Sequence, residues 1–174
     1  EGNIYNAPGA ITGHIATGGV INDYTSGSDV YRAHIFTSSG TFEVTAIGSI
    51  DNNIEYLVVG GGGAGGDGPG VNGTGGGGAG GLRTNLSGHP LAAPEYPVSV
   101  GSYTVTVGAG GGGSALVPGP TSARTGQSGN NSEFYPAPVS YPSSSFIRGA
   151  GGGGGGGAAA AGSGNAGGGS GGGG

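Results

Sequence analysis

Fifty of the 174 residues are glycine, and their distribution constrains the fold more than any other feature of the chain. Residues 60–81 hold 15 of them, 108–113 hold 5 and 149–174 hold 17, so 37 of the 50 fall within 54 positions. The other 120 residues carry 13, roughly the usage of an ordinary globular domain. Ordering glycine costs more backbone entropy than ordering any other residue, and glycine has no side chain to bury in return. Blocks like these fold only if their main chains bond to one another. The polyproline-II-type helix offers a way. It has three residues per turn, a rise of about 3.1 Å and no internal hydrogen bonds, so its N–H and C=O groups point outward to neighbouring strands. Only glycine lets such backbones lie side by side, so the three blocks are expected to pack as polyglycine-II segments, the C-terminal tract 149–174 against loops at 60–81 and 108–113.

The residues between the blocks read as strands. No stretch of 11–18 residues keeps a helical apolar period without a Gly or Pro cluster breaking it. Val30–Phe36 alternates, Thr37-Ser38-Ser39-Gly40 reads as a turn, and Thr41–Ile47 is expected to return as its hairpin partner. Ile54–Val59 is a short apolar run of the kind buried on both faces. Tyr103–Val107, Ser132–Tyr135, Val139–Tyr141 and Ser145–Ile147 are further strands, with Pro136, Pro138 and Pro142 marking sheet edges. Phe36 and Phe42 are the expected core aromatics. About seven strands with turn signals between them indicate an all-β fold, a jelly-roll-like β-sandwich over residues 16–148. Residues 1–15 are β-prone but lack a hairpin partner nearby. They are expected to form an N-terminal extension that adds as a strand to a neighbouring subunit, with Ile4, Tyr5, Ile11 and Ile15 as its assembly residues.

Charge is sparse. There are four Arg, no Lys and nine acids, giving a net charge of −5 and 7% charged residues. Nucleic-acid and anionic-membrane binding need clustered cations, and neither is expected here. No run of about 18 apolar residues exists to cross a bilayer as a helix. With so little charge, solubility falls to Ser, Thr, Asn and exposed backbone, or to attached sugar. Three sequons are candidate N-glycosylation sites, at Asn72, Asn85 and Asn130. Position 1 is Glu rather than Met, and removal of a secretory leader is the expected reason.

The order of fragments resembles a known family. Thr37-Ser38-Ser39-Gly40-Thr41-Phe42-Glu43-Val44-Thr45 is followed by Glu55-Tyr56-Leu57-Val58-Val59 running into the first glycine block. Gly80-Gly81-Leu82-Arg83-Thr84, Tyr103–Gly111 and Gly129-Asn130-Asn131-Ser132-Glu133-Phe134 come next. From about residue 16 onward this resembles the glycine-rich domain of bacteriophage tail-fibre and adhesin proteins and of secreted proteins of aquatic microbes. The resemblance implies an exported β-rich scaffold used in adhesion or assembly, and supplies no catalytic residues.

Motifs that carry chemistry are weak. Gly60-Gly61-Gly62-Gly63-Ala64-Gly65 follows an apolar strand and matches the dinucleotide fingerprint, but Gly66-Asp67-Gly68-Pro69-Gly70 cannot begin the helix that would hold a pyrophosphate. Gly168-Gly169-Ser170-Gly171-Gly172 matches a hydrolase elbow, but in a tract of this composition the match is expected by chance. His14, His34 and His89 show no metal-ligand spacing, and Asp51-Asn52-Asn53 reads as a turn. Tyr135 and Tyr141, beside prolines, are candidate exposed contacts. These observations lead to a non-enzymatic, cofactor-free structural subunit of an extracellular filament or fibre that polymerises with itself. The alternative is an adhesin, of a virion or a cell surface, that reads carbohydrate or an outer-membrane receptor.

Overall fold

The computed structural model describes residues 12–68, 74–113, 124–138 and 146–157. Among these there is no helix, and the fold is all-β. Eleven strands are present: β1 (Ile15–Thr17), β2 (Val20–Ser26), β3 (Asp29–Ile35), β4 (Gly40–Ala46), β5 (Asn53–Ile54), β6 (Leu57–Val59), β7 (Leu82–Thr84), β8 (Tyr96–Pro97), β9 (Gly101–Thr106), β10 (Ser132–Pro136) and β11 (Ile147–Gly149).

The main sheet has the order β1-β4-β9-β10-β11, and each pairing in it is antiparallel. Three two-stranded sheets accompany it: β2-β3, β5-β8 and β6-β7. Alternation along β4 turns Phe42 and Val44 inward while Thr41 and Glu43 face solvent. Val44 is 1% exposed and Tyr103 on β9 is 3% exposed. The small sheets β5-β8 and β6-β7 add Ile54, Val58 and Tyr96 to the same core, giving a sandwich-like layout. Aromatic rings fill most of this core. Tyr103 stacks on Phe134 with centroids 5.2 Å apart, and Tyr96 meets Phe134 edge-on at 5.3 Å. The Tyr103 hydroxyl accepts a hydrogen bond from the Ser99 N–H at 2.8 Å and donates to the Ser99 carbonyl at 3.2 Å, pinning the turn into β9.

Several expectations are corrected. The segments expected to form a hairpin, 30–36 and 41–47, are both strands but do not pair. β3 pairs with β2, a strand the sequence reading missed. Gly27 is the reason. Its φ of +63° opens a two-residue Ser26–Asp29 connection of the glycine-first kind, whose twist suits a hairpin. The expected turn instead carries the chain across to the main sheet, and Ser39 Oγ accepts from the Val107 N–H at 2.9 Å to hold it there. The run 54–59 is not buried on both faces. It splits into β5 and β6, and within β6 only Val58 turns inward, leaving Leu57 65% and Val59 51% exposed. Pro136 does not mark an edge: it ends β10, which lies between β9 and β11. Val139–Tyr141 lies outside the described residues, as does Ser145 of the last expected strand. Phe42 is in the core as expected, and Phe36 packs against it half-buried.

Candidate functional site

Beyond the sheets, five segments run side by side and bond through their backbones: 60–67, 75–81, 108–112, 124–130 and 150–157. Segment 60–67 is central. Gly60, Gly63 and Gly66 donate to the carbonyls of Gly81, Gly78 and Gly75, one partner every third residue. Gly61, Ala64 and Asp67, one residue further round, donate to Asn130, Gln127 and Arg124. The carbonyls of Gly61 and Ala64 accept from Gly152 and Gly155, and that of Gly62 accepts from Gly111. A step of three with a new neighbour for each residue in the step is what three residues per turn produces. The neighbours bond to one another as well: Gly75, Gly78 and Gly81 donate to Gly156, Gly153 and Ala150, and Gly126 and Gly129 donate to Gly155 and Gly152. These bonds are 2.7–2.9 Å long.

The spacing leaves no room for side chains between segments. A methyl added at Gly63 would collide with the Gly153 carbonyl, and one at Gly80 with the carbonyl of Gly60. Gly62, next to Gly63, faces outward, and its nearest atom would be 3.8 Å from an added methyl. The described parts of the three glycine blocks therefore do come together, with segment 124–130 as an additional member. That segment has only Gly126 and Gly129, at a spacing of three, and both approach 60–67 too closely for a methyl. A Gly-x-x-Gly step is the signal that would have revealed it. At one end, Arg124 Nη1 meets Asp67 Oδ2 at 3.1 Å and the two residues exchange both backbone hydrogen bonds.

This arrangement occupies the groups that a phosphate-binding loop would need. The N–H groups of Gly60, Gly61, Gly63 and Ala64 all bond to backbone carbonyls, and no helix follows among the described residues. The histidines hold structure. His14 Nδ1 accepts from the Gly48 N–H at 2.9 Å, so its Nε2 is the donor to the Asn53 carbonyl at 3.1 Å. His34 Nδ1 lies 2.8 Å from the Gly18 carbonyl with its ring edge-on to Phe42. His89 Nδ1 accepts from the Leu91 N–H within a turn. Asp51 Oδ1 accepts from the Asn53 N–H at 2.8 Å, the expected Asx turn. Among the described residues no three His, Asp or Glu side chains gather to hold a metal, and no helix is long and apolar enough to cross a membrane.

Of the expected assembly residues, Ile4, Tyr5 and Ile11 lie outside the described residues. Ile15 opens β1 and pairs with Ala46 of its own chain, while Thr12 and Ser49 exchange hydrogen bonds just before it. The rest of the extension, 1–11, lies outside the described residues. Of the sequons, Asn72 lies outside the described residues. Asn85 uses both ends of its amide internally, accepting from the Tyr56 N–H and donating to the Ile54 carbonyl. Asn130 lends its backbone to the glycine segments while remaining exposed. Tyr135 is half-buried and stacks on Phe146 at 4.4 Å, with the Arg148 guanidinium 5.6 Å from the Phe146 centroid. Tyr141 lies outside the described residues.

The β2-β3 hairpin, half of which the sequence reading missed, is exposed along most of its length. Arg32 and Asp23 pair on one face at 2.8 Å, which lowers the Asp23 carboxyl below its ordinary range. On the other face Tyr24 and Tyr31 stack at 5.3 Å.

A family-wide comparison fits this architecture: the glycine-rich domain family matches residues 37–174. The chain belongs to that family. No curated protein and no solved structure matches it significantly. The match takes in all five bonded segments and begins after the β2-β3 hairpin.

Proposed function

We propose that this glycine-rich domain is a non-catalytic structural subunit of an extracellular filament, polymerising head-to-tail through its N-terminal extension. The carrying observation is where that extension departs. Residues 1–11 precede Thr12, whose hydrogen bonds to Ser49 bring the chain to β1, and β1 is the three-residue edge strand of the main sheet. A segment entering at a sheet edge is well placed to pair with the edge of a neighbouring copy, using main-chain hydrogen bonds and alternate side chains such as Ile4 and Ile11. Head-to-tail contacts that do not close into a ring give helical filaments. The glycine segments suit the same role: packed as a polyglycine-II bundle, they form a block whose main chains bond to one another and which presents few side chains for chemistry. An extracellular setting accounts for the scarce charge, and sugar on Asn130 would add solubility where the surface lacks it.

The test is electron microscopy of native, untagged protein beside a chain lacking residues 1–11. Intact chains should form regular filaments with one subunit per repeat, and truncated chains should remain folded monomers. Filaments of truncated chains would refute strand addition.

A second reading rests on the half-buried ledge of Tyr135, Phe146 and Arg148. Stacked rings beside a cation suit a sugar, and this supports an adhesin of a cell surface or virion, as the family resemblance implies. Saturable binding on a glycan array, lost in Tyr135→Ala, would favour it over the filament.

A further inference from the structure

Among the described residues two pairs of tyrosines meet ring to ring, and they differ in what each can react with. Tyr56 and Tyr96 meet edge-on with centroids 6.3 Å apart, and Tyr96 is buried in the core. Tyr24 and Tyr31 lie nearly parallel, 14° apart in plane and 5.3 Å between centroids, and both are exposed. The register of the hairpin explains the second pair. Tyr24 on β2 stands directly opposite Tyr31 on β3, so both side chains leave the ribbon on one face. The tight connection at Gly27 and the ion pair of Asp23 with Arg32, adjacent on the other face, fix that register from both sides of the pair.

The ribbon also lacks support. β2-β3 pairs with no other strand, and an isolated two-stranded ribbon is marginally stable in water. Small scaffolds are commonly stapled by disulfides, and this chain contains no Cys. Two opposed phenols offer a different covalent staple. The remaining described tyrosines do not: Tyr103 is buried, and Tyr135 stacks on Phe146 rather than on a second phenol.

We propose that Tyr24 and Tyr31 form a site of oxidative modification, at which the two rings couple into an intrachain dityrosine that ties β2 to β3. The co-reactant is hydrogen peroxide, acting through a one-electron oxidant of the peroxidase class. Each phenol loses one electron and its hydroxyl proton, and the unpaired electron spreads to the ring carbons ortho to oxygen. One ortho carbon of each ring joins the other in a single C–C bond. Each of those carbons then releases its proton, and each phenolic oxygen takes one up. Two electrons and two protons leave the chain in total, and they reduce one peroxide to two waters. Exposure meets both needs of the step, since the oxidant reaches the rings and the side chains turn in solvent until their edges meet. Two groups held on one short element have an effective concentration of about millimolar, so at micromolar protein the intrachain bond outruns links between chains by roughly 10³-fold. The coupling requires only the folded hairpin and no filament.

Full-length chains at micromolar concentration are treated with a peroxidase and one equivalent of hydrogen peroxide, then cleaved before aspartate. Cleavage yields 23–28 and 29–50, each with a single tyrosine. Mass spectrometry should show these two peptides joined, two hydrogens lighter than their sum, as the main tyrosine product. When isotope-labelled and unlabelled chains are oxidised together, the joined peptides should come from one chain. Tyr24→Phe should lower the yield of dityrosine within the chain at least tenfold, and Tyr135→Phe should not. The double variant Tyr24→Phe, Thr25→Tyr moves the phenol one position along, to the opposite face, and should lose the link to Tyr31 equally, with circular dichroism checking that it folds. Folded native chains that give no link between 23–28 and 29–50 overturn the site. So do links that mix labelled with unlabelled chains, or an equal yield from the double variant.

Discussion

Gly63 and Gly62 are neighbours in one segment, neither has a positive φ, and the structure assigns their substitution by alanine opposite outcomes. A methyl on Gly63 meets the backbone of Gly153 and Gly152, which belong to another bonded segment and cannot swing aside as a flexible side chain would. Forcing an extra carbon into a packed interior costs about 1–3 kcal/mol. Moving segment 150–157 away strains the bonds from Gly78 to Gly153 and from Gly152 to Gly61, each worth roughly 0.5–1.5 kcal/mol. Alanine stiffens the unfolded chain and offsets about 0.4–1 kcal/mol of this. Gly63→Ala is therefore expected to destabilise by roughly 2–4 kcal/mol. Gly62→Ala meets only the Gly78 carbonyl, at an ordinary van der Waals distance of 3.8 Å, and keeps only the unfolded-state term, so it is expected to be neutral or to stabilise by up to about 1 kcal/mol. Urea unfolding followed by far-ultraviolet circular dichroism reads the difference, and in a thermal scan it corresponds to a gap of about 5–15 °C in Tm. Equal effects from the two substitutions would mean that the segments do not pack at this spacing, and the close-contact reasoning would fail.

Two further outcomes follow from the core and from the bundle. Burial, with Tyr103 and Tyr56 nearby, pushes the Tyr96 hydroxyl from 10.0 up to about 12. A raised folded-state value keeps its stabilising effect below pH 10 and loses it as pH climbs toward 12, so unfolding midpoints should fall across that window; Tyr96→Phe should flatten the fall, and an unchanged slope would remove Tyr96 as its cause. Unfolding exposes much polar backbone from the glycine segments and little apolar area, and polar exposure lowers the heat capacity change. Calorimetry should then give clearly less than the usual ~12–15 cal/mol/K per residue, and a value inside that range would contradict a bundle held by main-chain bonds.

Much of the fold was legible in the sequence wherever side chains carry the pattern. Alternation located β3, β4, β9 and β10, and Phe42 was identified as core. Pairing was less visible, because alternation states that a strand exists but not which edge it meets. Thr37–Gly40 has turn composition, yet the tighter connection at Gly27 took β3 first. β2 was missed because Asn22, Asp23 and Thr25 dilute its apolar alternation, and it is exposed along its whole length. β6 was misjudged because Leu57, Val58 and Val59 are uniformly apolar, a run that does not distinguish a strand with two buried faces from one with a single inward residue.

The glycine segments invert this relation between sequence and structure. In a sheet the side chain selects the face, whereas in 60–67 it is the absence of a side chain at each inward step that selects the neighbour. Positions that tolerate a larger residue, such as Ala64, Gln127 and Asn130, are then decided by register against an adjacent backbone, and composition does not reveal register. That is why three dense blocks were recognisable while 124–130, with two glycines among seven residues, was not. It also explains how two kinds of scaffold share one small domain. The aromatic core needs few residues because rings such as Tyr103 and Phe134 bury large areas, and the glycine segments need none because their bonds close without side chains. Large apolar side chains that neither scaffold requires, such as Val30, Ile50 and Leu57, are left at the surface.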